Sequence, residues 1–331
     1  MSGAWIDILK AEPGVEIAGL CDIAPGAAAA RADQAGLGDV YCTEDVVDLI
    51  ETTHPDVVAD LTVPCAHYGV TRAALERGCH VFGEKPLADA MTHAREMVAL
   101  AERKQRLYAV MQNRRYDPNI RRLKAFLASG ALGPLTTLNA DFYLGPHFGG
   151  FREEMDNVLL LDMAIHHFDA ARLLIGGDPV SVICHEWNPA GSWYRHGASA
   201  IAVFEMSNGV VFRYQGSWCA NGLSTTWECE WRALCTEGSA AWDGATGFAA
   251  ERVDAVEGFV PPCRTVEVPE PPPHDKVGGH AGCIREMLRC VRTGETPETV
   301  ASDNIKSLAM VFGAIESARQ GVRVDVRGMT G

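Results

Sequence analysis

Asp162 and His166 stand four residues apart in NVLLLDMAIHHFDAARLLIG (157–176), a run that is otherwise apolar almost all round. Such a run reads as a buried helix over about 158–175, and a spacing of four brings two side chains to one face. Burying a carboxylate is costly unless it is paired or used. An imidazole titrates near neutral pH and suits proton transfer, and a carboxylate one turn away can orient it or hold a substrate hydroxyl. His167 and Asp169 read as packing or helix-end residues. The two histidines are adjacent and the H-E-x-x-H spacing is absent, so no metal site is expected. From these residues alone, a satisfied core histidine beside a structural acid is the competing reading.

Three other stretches carry chemistry. In GEKPLA (83–88), Lys85 follows an apolar strand and precedes a proline, which fixes the turn. Open parallel sheets bind ligands there, at the carboxyl ends of their strands. A surface loop with a solvated Glu84–Lys85 ion pair is the alternative. In TVPCAH (62–67), Thr62 and Pro64 end a strand and His67 opens the next helix, whose N-terminus favours anionic groups. Asp22 closes the strand-like VEIAGLCD (15–22); an acid there can bind both ribose hydroxyls of NAD and repel the 2′-phosphate of NADP.

The elements that must hold these residues follow from periodicity. Up to about residue 113, apolar strand-like runs at 15–22, 56–64, 79–86 and 107–113 alternate with helical stretches, among them one after Thr43, a plausible N-cap. That alternation implies a parallel doubly wound sheet. After an amphipathic helix beginning near Tyr116, longer alternating strands follow at 135–144, 179–187, 199–206, 209–217, 225–235 and 239–243, with an Asn-Gly hairpin signal at 208–209. They read as a mainly antiparallel sheet. VPEPPPH (268–274) reads as a proline-rich surface loop. The expected fold is therefore α/β followed by α+β: a Rossmann-type domain over 1–115, then a substrate and oligomerisation domain over 116–331, with closing helices at 279–293 and 302–320.

At 331 residues, 47% hydrophobic and 22% charged, the chain can bury two ordinary cores. A formal charge of −14 opposes contact with nucleic acid or anionic lipid. The 11 cysteines show no C-x-x-C spacing and read as reduced thiols of a cytoplasmic protein. No apolar run is long enough to span a bilayer.

Together these stretches resemble the Gfo/Idh/MocA oxidoreductase family, which includes glucose–fructose oxidoreductase and inositol dehydrogenase. GCHVFGEKPLA (78–88) is similar to its G-K-H-V-x-x-E-K-P-L-A signature, TVPCAH to its T-P-x-x-x-H turn, and QNRRYDPN (112–119) to the segment entering its second domain. LLLDMAIHHFD (159–169) is similar to its D-x-G-x-H-x-x-D helix, with Ala164 where glycine is commoner, and DNIKSLAMVFGAIESARQG (303–321) to its closing helix. The resemblance implies hydride transfer between NAD(P) and a sugar, polyol or related hydroxyl compound. It implies that Lys85 polarises the reacting hydroxyl, that His166 exchanges its proton, and that Asp162 holds the substrate and tunes His166. It places Arg115 and Tyr116 at the sugar pocket and Glu84, Thr62, Pro64 and His67 at the cofactor, while Asp22 favours NAD over NADP. Two other activities are compatible with it: a glycosidase-like use of NAD, and ligand sensing without turnover.

Family members usually begin with a strand and a glycine-rich loop, in one variant G-x-G-x-M-S followed by a helix with a tryptophan. MSGAW (1–5) is similar to the end of that loop. The expectation is that Met1 is an internal methionine of the natural protein, that the sheet lacks its first strand, and that this chain binds NAD weakly. Six of the seven tryptophans lie between Trp187 and Trp242 and are expected to pack on the antiparallel sheet, through which the chain is expected to form a homodimer or homotetramer.

Overall fold

A computed structural model describes residues 2–270, 273 and 276–331. The chain divides into two compact units, one built from the residues up to Gln112 with Gly278–Ile305, the other from Asn113–Val277 with Lys306–Gly331.

In the first unit, helices α1 (Ser2–Ala11), α2 (Ala27–Ala35), α3 (Val46–Thr53), α4 (Pro64–Glu76) and α5 (Met91–Lys104) alternate with strands β1 (Gly19–Cys21), β2 (Tyr41–Thr43), β3 (Val57–Asp60), β4 (His80–Gly83) and β5 (Tyr108–Val110). All strand pairs are parallel: β1 with β2, β3 with β4, and β4 with β5. This is the expected Rossmann-like arrangement, in two hydrogen-bonded groups that leave one edge each of β1 and β3 without a strand partner among the described residues. The strands are shorter than the apolar runs suggested, because ladder bonds end where the chain turns into each helix.

Local chemistry sets the helix ends. Asp45, rather than Thr43, caps α3: its side chain accepts from the Val47 amide at 2.8 Å, while Thr43 Oγ1 donates to Asp48. Pro64 opens α4, where its missing N–H is no loss. Gly19 lets β1 approach α3 closely; a Cβ there would lie 2.6 Å from the Leu49 side chain and 2.7 Å from the Tyr41 carbonyl oxygen.

The second unit contains α6 (Pro118–Ala128), β6 (Leu135–Tyr143), a short helix α7 (Phe151–Glu154), a π-helical turn (Leu159–Ala164) and α8 (Ile165–Ile175). Strands β7 (Pro179–Trp187), β8 (Ser199–Met206), β9 (Val211–Ser217), β10 (Glu230–Cys235), β11 (Gly238–Trp242), β12 (Phe248–Val253) and β13 (Cys263–Thr265) follow. Helices α9 (Gly279–Thr293) and α10 (Ala301–Gln320) and strand β14 (Val324–Asp325) close the chain. The sequence pattern grouped α9 with the second domain; in the structure it packs on α1 in the first unit. The sheet has nine strands in the order β13-β12-β11-β10-β6-β9-β8-β7-β14 and is antiparallel except for β6 with β9. β12, β13 and β14 had no clear alternation to announce them. Along β9 every second residue is buried, and the inward face meets α8: the Phe168 ring makes edge contacts with Phe204, Phe212 and Tyr214. Of the expected surface loop, Pro271, Pro272 and His274 lie outside the described residues.

Candidate active site

In the first unit the expected cofactor residues sit at the carboxyl ends of parallel strands. Asp22 follows β1; it is exposed, and Oδ1 accepts from the Ala24 amide at 2.9 Å. Thr62 lies beyond β3, exposed, with Oγ1 donating to Asp60 Oδ1 at 2.6 Å. Asp60 is buried and also accepts from Thr71 on α4, so the turn is tied to the helix that follows it. His67 is buried, with Nε2 3.0 Å from the Thr62 carbonyl oxygen, and braces that turn from within. Glu84 is buried as well: Oε1 accepts from Trp5 Nε1 at 2.7 Å and Oε2 from the Lys85 amide at 3.3 Å. Glu84 thus bonds to protein groups through both oxygens and His67 through Nε2, while the buried His67 Nδ1 has no hydrogen-bond partner among the described residues. Glu84 links the buried indole of α1 to the β4 turn. Lys85 is half-buried amid buried neighbours and precedes a cis proline. A solvated Glu84–Lys85 surface pair is therefore not what the chain builds here.

These residues fit a dinucleotide in part. Asp22 leaves Oδ2 without a protein partner among the described residues, so it can receive a vicinal diol. The exposed Thr62 side chain and the N-terminus of α4 suit polar and anionic groups. No glycine-rich loop is found among the described residues.

The second unit holds the acid–histidine pair. Sequence periodicity implies one α-helix through Asp162 and His166; the structure puts Asp162 in the π-helical turn and His166 in the first turn of α8. A π turn winds the chain more widely than an α-helix, and such turns are frequent at functional sites. Arg152 Nε donates to Asp162 Oδ2 at 2.8 Å. His166 is half-buried, whereas His167 is buried, with Nε2 3.1 Å from the Trp227 carbonyl oxygen and Nδ1 3.3 Å from Tyr214 Oη. Burial pushes His167 down to about 3, so it is a neutral packing residue at ordinary pH, as its sequence context suggested.

Arg115 and Tyr116, expected at a sugar pocket, have structural surroundings. Arg115 is buried and forks onto Asp169, Nε to Oδ2 at 2.6 Å and Nη2 to Oδ1 at 2.9 Å, and Ser307 Oγ adds a bond to Oδ1 at 2.7 Å. Tyr116 is fully buried, with the Arg121 guanidinium over its ring. The sequence showed two polar residues after a strand; it could not show that a buried acid on α8 waits for one of them.

Sequence reading missed Arg152, Phe148, Phe151 and Glu186. The first three lie between β6 and the π turn, Phe148 just before and Phe151 and Arg152 just after Gly149 and Gly150, both at positive φ. Glu186, on β7, accepts from Asn157 Nδ2 through Oε2, while its buried Oε1 has no hydrogen-bond partner among the described residues. Asn157 in turn receives the Leu161 amide on its carbonyl oxygen, so Glu186 braces the start of the π turn. Burial raises Glu186 to about 7. A glutamate titrates near ~4.3 when unfolded, so the folded protein retains a proton between those values that the unfolded chain has lost. Glu186 therefore reduces stability as pH rises through that window. With Glu186→Gln, the stability gap over wild type should widen in the variant's favour from pH ~5 to pH ~8, by about 1–2 kcal/mol once partial exposure is allowed for. Urea melts at the two pH values measure it; a gap that stays constant with pH refutes the assignment.

Two sequence-family models match the chain: the oxidoreductase family with NAD-binding Rossmann fold over residues 3–112, and the GFO/IDH/MocA C-terminal domain over residues 120–241. The chain is 30% identical to the D-glucoside 3-dehydrogenase of Escherichia coli over 228 residues, covering 62% of this chain and 64% of the relative. It is 25% identical to the D-apiose dehydrogenase of Paraburkholderia graminis, covering 98% and 86%. Its fold superposes on an oxidoreductase from Agrobacterium radiobacter, solved with NAD+, L-tartaric acid and magnesium, with a TM-score of 0.84 at 21% identity, over 99% of this chain and 96% of the other. Both halves of the sequence and both sheets thus lead to one conclusion: the chain belongs to the Gfo/Idh/MocA family of NAD-binding oxidoreductases.

Proposed function

We propose that this chain oxidises a secondary hydroxyl of a sugar, polyol or related compound, with His166, Asp162 and Lys85 as its catalytic residues. The observation that carries the reading is the placement of Asp162 and His166 around a π turn in an otherwise apolar, largely buried helix, where both are half-buried. A helix of pure packing has no use for that exception. The named relatives that oxidise sugars and glucosides support the substrate class.

Bound NAD+ supplies the hydride acceptor. The carbinol C–H bond breaks with its electron pair leaving as hydride, and the O–H bond breaks with its proton passing to His166 Nε2, so the carbinol becomes a carbonyl. His166 must be unprotonated for oxidation and protonated for the reverse reaction. Asp162 accepts a hydrogen bond from a substrate hydroxyl and favours the imidazolium that forms. Lys85, as an ammonium, stabilises negative charge developing on the reacting oxygen. Asp22 takes the ribose diol. The outward face of the nine-stranded sheet, with Ile183 and Ile201 exposed, is the surface through which we expect the chain to pair with copies of itself.

The test is NADH formation across neutral sugars, inositols and sugar acids; no turnover of any of them, with NAD binding demonstrated, would remove the reading. Cofactor choice has its own check. Asp22→Ala should move the ratio of kcat/KM for NAD over NADP toward NADP by about tenfold or more, since it removes one charged hydrogen bond and one repulsion. An unchanged ratio would take Asp22 out of the cofactor site.

A further inference from the structure

Arg152 packs against an acid and two aromatic rings. Its guanidinium meets Asp162 through Nε alone, at 2.8 Å, and its side chain is 34% exposed. Nη1 and Nη2 make no hydrogen bond with protein groups among the described residues. Two other arginines of this unit meet their carboxylate with two nitrogens. Arg115 forks onto Asp169 with two nitrogens, and Arg213 grips Asp141 with both terminal nitrogens. An arginine needed only to neutralise Asp162 would gain by forking in the same way.

What holds Arg152 in its single-contact pose is aromatic. Its guanidinium carbon lies 5.0 Å from the Phe148 ring centroid and 4.9 Å from that of Phe151. These two phenylalanines are 45% and 60% exposed, so core packing does not account for them. Cation–π contact with two rings restricts the guanidinium plane and leaves its donor edge open. The result is a fixed, planar set of N–H donors beside the carboxylate assigned to the substrate.

We propose that Arg152 is a specificity-determining residue that receives a carboxylate of the substrate, which makes the hydroxyl compound a sugar acid, aldonic or uronic, rather than a neutral sugar. The proposal rests on the assignment of Asp162 and His166 to the reacting hydroxyl. A guanidinium edge matches a carboxylate in plane and spacing, and charge-assisted bonds are roughly twice as strong as those a neutral hydroxyl accepts.

The experiment compares kcat/KM with NAD for D-glucuronate, D-galacturonate and D-gluconate against D-glucose, D-galactose and sorbitol, in wild type and in Arg152→Met and Arg152→Lys. Wild type should prefer an acid, less so at high salt, and Arg152→Met should shrink the acid-to-neutral ratio by about tenfold or more, with Arg152→Lys keeping part of it. A wild type that prefers the neutral compounds, or a ratio that Arg152→Met leaves intact, overturns the proposal. If none of the six compounds is oxidised, the redox reading fails separately and binding decides. Trp218 and Trp227 lie 5.9 and 6.4 Å from the Phe148 ring, so their fluorescence reports on the Arg152 clamp. Quenching by the acids that Arg152→Met abolishes supports the proposal; no quenching, or equal quenching by acids and neutral sugars, overturns it.

Discussion

His166→Gln should lower kcat for alcohol oxidation by about 10²–10⁴-fold, the usual contribution of a positioned acid–base group. Glutamine keeps the size and one hydrogen-bonding end of the imidazole but cannot take the hydroxyl proton. The loss should fall on kcat rather than on the KM for NAD, because the substitution removes an interaction realised as the proton moves. A second readout separates catalysis from packing. Oxidation by wild type should weaken as pH falls and His166 becomes protonated, and that acidic limb should vanish from the residual activity of the variant. Lys85→Met should also lose turnover, but with the acidic limb retained. A His166→Gln enzyme with more than about a third of wild-type kcat, or with its acidic limb intact, would reduce His166 to a core residue.

Asp169→Asn should destabilise the second unit by about 3–5 kcal/mol, the range for breaking a buried ion pair from one side. Asp169 is completely buried and Arg115 nearly so. The substitution leaves the guanidinium without its counter-charge where water cannot replace it. Ser307 loses a charged acceptor in the same step. Since Arg115 lies just after the start of the second unit and Asp169 is on α8, the pair ties the 3₁₀ turn Asn113–Tyr116 to the helix that carries His166. Urea denaturation followed by tryptophan fluorescence should show the midpoint drop, since six of the seven tryptophans are in this unit. A midpoint within experimental error of wild type would mean that the pair is dispensable, and Arg115 would again be open to a role at the substrate.

The two variants differ in how far sequence could have anticipated them. The alternation of helices and strands, the parallel and antiparallel halves and the candidate residues Asp162, His166 and Lys85 were readable, because 3.6- and 2-residue periodicities and a charged exception in an apolar helix are local signals. Asp162, His166 and Lys85 stood out since each breaks the pattern around it. Arg115 is marked only by the family resemblance. A buried polar residue has either a ligand or a buried partner, and the partner here lies 54 residues away on another element. The family resemblance places Glu84 at the cofactor; in the fold it also meets an indole 79 residues earlier.

By itself, the sequence determined the family, the alternation of elements and the residues whose chemistry suits hydride transfer, all of which reside in short stretches. Tertiary structure alone decided which charged groups neutralise one another. It turned Arg115 into a brace, made Glu84 and His67 supports of their turns, set Asp162 in a π turn, and brought Arg152 to it between two phenylalanines. The physical reason is that burial and pairing are properties of space: a carboxylate's role depends on which donor reaches it first, and donors far away in the chain arrive only when the elements pack.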